Sequence, residues 1–159
     1  MELKTKVHAE DGRQEIFITR DFELPVELLF RAYAEPELVE QWMGTRVLQM
    51  DCRPHGAYRF ETTDPQGNKH LFSGVIHDFV PEKSIIRTFE MENTTFPVQL
   101  EFLDFEQLTD DSSRLTMQVI YKSVEHRNRL LEMPFAKGIN MAHNRIQEIL
   151  SKLNNTSSI

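Results

Sequence analysis

The chain has 159 residues, 40% of them hydrophobic and 27% charged, and its 18 basic against 25 acidic side chains leave a net charge of −7. This describes one globular domain, expected over 1–159 with its core at about 15–153, and a single cysteine, Cys52, allows no disulfide framework. The acidic balance argues against a nucleic-acid partner, which would need a basic face, and no stretch approaches the apolar length of a membrane span.

The polar start MELKTKVHAEDGRQ carries no apolar signal region, so a cytoplasmic setting is expected. The first strand is expected over 15–22, EIFITRDF, where Ile16, Ile18 and Arg20 share one face. Pro25 stands at what reads as the first position of a short helix with Val26, Leu29, Phe30 and Tyr33 at helical spacing. Pro36 repeats the device, with Leu38, Val39 and Trp42 before Gly44 ends the run. From Arg46 to Lys122 the period becomes two, with turn residues between strands expected at 46–52, 57–63, 69–80, 84–92, 97–108 and 113–122. Such short connections favour an antiparallel meander. The last segment is helical, with Leu131, Phe135, Ile139, Ala142, Ile146, Ile149 and Leu153 on one stripe. Pro134 predicts a kink or break near Met133, and beyond Leu153 the tail NNTSSI is expected to fray.

One long helix cannot cover a flat sheet of this size, so the sheet is expected to curve around it. The fold class expected is α+β: a curved seven-stranded antiparallel sheet wrapped around a long C-terminal helix, with two short helices after strand 1. Space left beside the gripped helix becomes a cavity unless large side chains fill it. Polarity sorts Tyr58 and Phe60, then Phe72 and Ile76, then Arg87 and Phe89, onto the concave side. It also puts Leu100 and Phe102 there, together with Met117 and Tyr121. Phe30 and Trp42 from the short helices, and Met133, Phe135, Ile139 and Ala142 from the last segment, complete the expected lining.

This order of elements resembles the START and birch-pollen-allergen (SRPBCC) superfamily. The opening ITRDFELPVELLFRAYAEPELVEQWMG is similar to that of the branch typified by the C-terminal domain of the activator of heat-shock protein 90 ATPase. MDCRPHGAYRF follows its Asp-x-Arg-Pro-Gly-Gly turn, with His55 where the family usually has Gly. FSGVIHDFVPEKSIIRT, SRLTMQVIYKS and RNRLLEMPFAKGINMAHNRIQEIL resemble the later strands and last helix, with Pro134-Phe135 replacing a Gly-Met pair. The resemblance implies the helix-grip fold and, as one partner, a chaperone ATPase.

Among individual side chains, Arg87 is either a buried guanidinium that fixes an acidic group of a ligand or one paired with an internal acid. Trp42 is either a gate or a cap on the core, and the hydroxyls of Tyr58 and Tyr121 either orient a ligand or bond to backbone. A break at Pro134 would let residues 124–132 act as a flap, or would merely follow the curvature of the sheet. The six histidines show no metal-ligand spacing, and the carboxylate pairs at Glu90/Glu92, Asp104/Glu106 and Asp110/Asp111 read as solvated. No catalytic residue, metal or cofactor is expected.

The function expected is binding of a small hydrophobic or amphipathic molecule between the C-terminal helix and the concave sheet. The alternatives are a chaperone-interacting module and a cyclase- or hydratase-type enzyme using the same cavity. No nucleic-acid or membrane partner is expected, and the oligomeric state expected is a monomer or weak homodimer.

Overall fold

The structure, a computed structural model, describes residues 4–157. In chain order its elements are β1 (Lys6–His8), β2 (Glu15–Phe22), α1 (Val26–Ala34), α2 (Pro36–Met43), β3 (Arg46–Met50) and β4 (Ala57–Thr63). They continue with β5 (Lys69–Val80), β6 (Ser84–Met91), β7 (Gln99–Thr109), β8 (Ser112–Ile120), α3 (Val124–Leu131) and α4 (Phe135–Ser157). The strands form one open sheet in the order β1-β2-β8-β7-β6-β5-β4-β3, every pair antiparallel. Six consecutive strands make the expected meander, and β2 joins it through β8 after the helical excursion.

β2 and β8 alternate strictly between buried and half-buried positions, as a sheet with one face on the core requires. Pro25 caps α1 from outside the helix instead of opening it, with ψ at 150°. Pro36 does open α2, and Gly44 closes that helix in the left-handed conformation at φ 64°. These two helices and α4 cover the core, in which Phe22, Leu29, Leu103, Leu115, Ile146 and Leu150 are sealed from solvent.

Four expectations are corrected. The sheet has eight strands, because Lys6–His8 adds a short edge strand to β2. The last helix runs through Ser157 instead of fraying after Leu153; residues 158–159 of the expected tail lie outside the described residues. Its buried stripe includes His143, which is wholly buried and was not assigned to it. In β7 the concave face carries Glu101, Leu103 and Phe105, so Leu100 and Phe102 lie on the opposite face. The apolar pattern of β7 changes phase at Phe102-Leu103, and the charge on Glu101 disguised which half faces in. The expected break at Pro134 is present, since α3 ends at Leu131 and α4 begins at Phe135.

Candidate functional site

Antiparallel register lays the concave face out in cross-strand rows. The driest row runs Ile18, Met117, Leu103, Ile85 across β2, β8, β7 and β6, every member nearly or wholly buried. The adjacent row is Ile16, Val119, Glu101, Arg87, so an acid and a base face each other on neighbouring strands. Continuing the register gives a third row of Tyr121, Gln99 and Phe89. The face therefore grades from hydrocarbon, through a buried charge pair, to a mixed edge.

The Arg87 Nε donates to Glu101 Oε1 at 2.9 Å, and these side chains keep only 14% and 6% of their exposure. The Gln99 Nε2 donates to the other carboxylate oxygen at 2.7 Å. Both Glu101 oxygens thus have hydrogen-bond partners, as buried polar atoms require. Burial works most strongly against the Arg87 charge, but the Glu101 carboxylate together with Tyr58 and Tyr33 outweighs it, and the guanidinium is held above its usual range. The guanidinium carbon also lies 5.5 Å from the centre of the Tyr58 ring. Of the two roles open to Arg87, pairing with an internal acid is the one the structure adopts.

Beyond the third row lies a small pocket of about 100 Å³. Phe89, Gln99 and Tyr121 stand on its sheet side, and His126 and Leu130 of α3, with Met133 just after that helix, stand on the other. Phe96 and Pro97 of the β6–β7 connection close a third side, and Glu90, Met91 and Lys122 complete it. α3 is held over the pocket at two points. Buried Arg127 donates to the carbonyls of Glu10 and Glu15 at 2.7 and 3.2 Å. Arg129 donates to the Thr95 hydroxyl at 3.1 Å and places its guanidinium 4.9 Å from the centre of the Phe96 ring.

Tyr121 is the one aromatic wall with a polar tip. Its hydroxyl is buried and has no hydrogen-bond partner among the described residues. Burial, reinforced by the Glu101 charge, pushes its pKa up, so it stays a protonated donor. A buried hydroxyl left unbonded costs about 1–3 kcal/mol.

The structure distributes the expected lining residues over several places. Phe89, Tyr121 and Met133 meet at the pocket. Tyr58 and Phe60 pack together with ring centres 5.1 Å apart, and the Tyr58 hydroxyl donates to the Thr88 carbonyl. Phe72 stacks on Phe89 at 5.5 Å, while Ile76 and Met117 are buried in the core. Phe30 lies against Phe79 and Phe105, and Trp42 caps the core with its indole N–H donating to the Ala32 carbonyl at 2.7 Å. Phe135, Ile139 and Ala142 are partly buried against the core, away from the pocket wall. Phe102 is on the other face of the sheet.

Sequence reasoning missed Gln99, Glu101, Phe96, His126 and Leu130. The signal for Glu101 was available: an inward Arg87 forces its cross-strand partner onto the same face. Among the described residues no group of three or more His, Cys, Asp or Glu side chains is placed to hold a metal ion. No helix there is long and apolar enough to cross a membrane.

Residues 23–151 match the family described as activator of Hsp90 ATPase homolog 1-like protein. No curated protein matches the chain closely enough to count as a relative. Solved structures share the fold. A Mycobacterium smegmatis protein, 26% identical, superposes with a TM-score of 0.81 over 96% of this chain and 99% of its own. A Nitrosomonas europaea protein, 25% identical, gives 0.79 over 92% and 99%. A Rhodobacter sphaeroides protein, 19% identical, gives 0.81 over 93% and 99%.

Proposed function

The chain belongs to the activator of Hsp90 ATPase homolog 1-like family, and on that premise we propose that it binds a small hydrophobic or amphipathic molecule in the pocket between α3 and the concave sheet. The observation that carries this reading is the pocket's composition: apolar walls from Phe89, Phe96, Leu130 and Met133, with Gln99, Lys122 and His126 as polar groups of the lining. Such a combination is what binding sites for small molecules offer, apolar area for affinity and a few polar atoms for orientation. The pocket proposed lies under α3, whereas the sequence reading put the cavity beside the C-terminal helix.

Native mass spectrometry of the protein as purified, followed by titration with small aromatic compounds, tests the reading. A co-purifying mass, or saturable binding that Leu130→Trp abolishes by filling the pocket, is the expected result. No adduct and no binding with either form would end it. The family description favours a second reading, contact with a chaperone ATPase; a pull-down with the chaperone and its ATPase rate with and without this protein decide that one.

A further inference from the structure

We infer that the pocket selects a small uncharged ring compound, held by hydrocarbon contact, and that Leu130 is the residue that sets the size it accepts. This rests on the ligand-binding reading above and narrows it to a ligand class and a specificity-determining side chain.

Charge fixes the class. The pocket wall is almost entirely hydrocarbon, and the polar groups around it are either engaged with one another or in water. Arg87, the cation that would attract a carboxylate, is paired with Glu101 at 2.9 Å, one row inward from Phe89 and Gln99. The Gln99 amide nitrogen donates to the same carboxylate at 2.7 Å, and His126 Nδ1 shares a hydrogen bond of 2.7 Å with the Ser123 hydroxyl. Glu90 and Lys122 are exposed and opposite in sign, so the pair favours neither an anion nor a cation. An ion pair made at an exposed side chain returns little, and a charge entering a hydrocarbon-walled site sheds water that nothing there replaces. An uncharged ligand meets no such cost.

Geometry fixes the size. Arg127, buried and tied to the Glu10 and Glu15 carbonyls, and Arg129, bonded to the Thr95 hydroxyl with its guanidinium near the Phe96 ring, hold α3 at a set height above the sheet. Leu130 stands three positions after Arg127, hence on the same helix face, and directly after Arg129, so both tethers keep its side chain in the wall. A water needs roughly 10–15 Å³ of such volume, so the pocket of about 100 Å³ that Leu130 leaves admits on the order of ten non-hydrogen atoms. That is a substituted ring, not a long lipid chain, and the aromatic walls of Phe89 and Phe96 suit a ring. Shortening Leu130 to alanine removes its isopropyl group from the helix side of the pocket while both arginine tethers stay in place.

The experiment titrates the full chain, followed by nuclear magnetic resonance, with toluene, butylbenzene, benzoate and benzylammonium, then repeats the series with Leu130→Ala. On the unaltered chain toluene is expected to bind at least about tenfold more tightly than benzoate or benzylammonium, and to show intermolecular contacts with the Leu130 methyl groups. Leu130→Ala is expected to shift the ratio of butylbenzene to toluene affinity at least about tenfold in favour of butylbenzene. Benzoate or benzylammonium as the tightest probe overturns the ligand class, and an unchanged ratio overturns the role of Leu130; either leaves the binding reading intact. Toluene bound without contact to Leu130 on the unaltered chain overturns that role too, and requires no variant to fold. Binding by none of these probes overturns the inference, and with no co-purifying mass it overturns the binding reading as well.

Discussion

Arg87 and Glu101 lie directly opposite on β6 and β7, so each charge meets the other before it meets water. Removing the guanidinium alone strands a carboxylate that is 6% exposed. Arg87→Met is therefore expected to cost about 3–5 kcal/mol of stability, and Arg87→Met with Glu101→Met to recover most of it, because apolar replacement of both partners strands nothing. Urea midpoints at constant m-value measure this; a single variant within about 0.5 kcal/mol of the parent would show that the pair is not structural. The same residues mark how far the sequence could be read. Alternation along SIIRTFEM puts Arg87 inside with Ile85 and Phe89, and the structure agrees. Applied to QLEFLDF, alternation by polarity put Glu101 outside and Phe102 inside, the reverse of what is found. A charge is a sound marker of the outer face only where no opposite charge waits for it across the strand gap, and that is a property of two strands together.

Among the elements, β4, β5 and β6 are joined by more than their ladders. Tyr58 on β4 pairs with Gly74 on β5, and its side chain reaches over that glycine so that the hydroxyl donates to the Thr88 carbonyl on β6. A Cβ at position 74 would strike that carbonyl oxygen and lie 2.6 Å from the tyrosine hydroxyl. Gly74 is thus needed for space, not for an unusual backbone angle. Gly74→Ala is expected to destabilise by about 1–3 kcal/mol, as overpacking does, and Tyr58→Phe by about 1 kcal/mol. Combined with Tyr58→Phe, the alanine should cost less than the sum of the two, since the two changes share one contact. Thermal midpoints of the three variants test this, and strict additivity would refute the shared contact. At this scale the prolines were the most legible signals: Pro25 and Pro36 mark the helix starts, and Pro134 the gap between α3 and α4. β1 was illegible because three residues, KVH, show too little alternation; what holds it is pairing with β2, and the preceding Thr5 bonds to α4.

For the molecule as a whole, the grip on α4 passes through one buried polar cluster at the β1–β2 edge. The Thr5 backbone N–H and Arg20 Nη1 both donate to Asn140 Oδ1, at 2.9 and 3.2 Å, and Arg20 also donates to the Thr5 hydroxyl at 3.4 Å. That hydroxyl also shares a hydrogen bond of 2.6 Å with His143 Nδ1, and the buried Nε2 has no partner among the described residues. The Phe22 ring packs against His143 edge-on at 5.6 Å. Burial, then the Arg20 charge, lowers the His143 pKa from 6.5 to about 3. The folded state thus refuses a proton that the unfolded chain accepts below pH 6.5, so stability is full above that pH and falls as pH drops toward about 3. One such group gives a slope of about 1.4 kcal/mol per pH unit. Between pH 6.5 and 5.5 the carboxylates with lowered pKa, such as Asp21 and Glu92, stay largely ionised in both states, since their ordinary values are 3.8 and 4.5, and the histidine dominates the change. Replacing it by His143→Gln, an uncharged side chain that can still hydrogen-bond to the Thr5 hydroxyl, is expected to flatten the stability profile over that interval. Denaturation free energies at half-unit pH steps measure both slopes. Equal slopes in the two proteins would mean that the hold on α4 does not depend on a neutral His143.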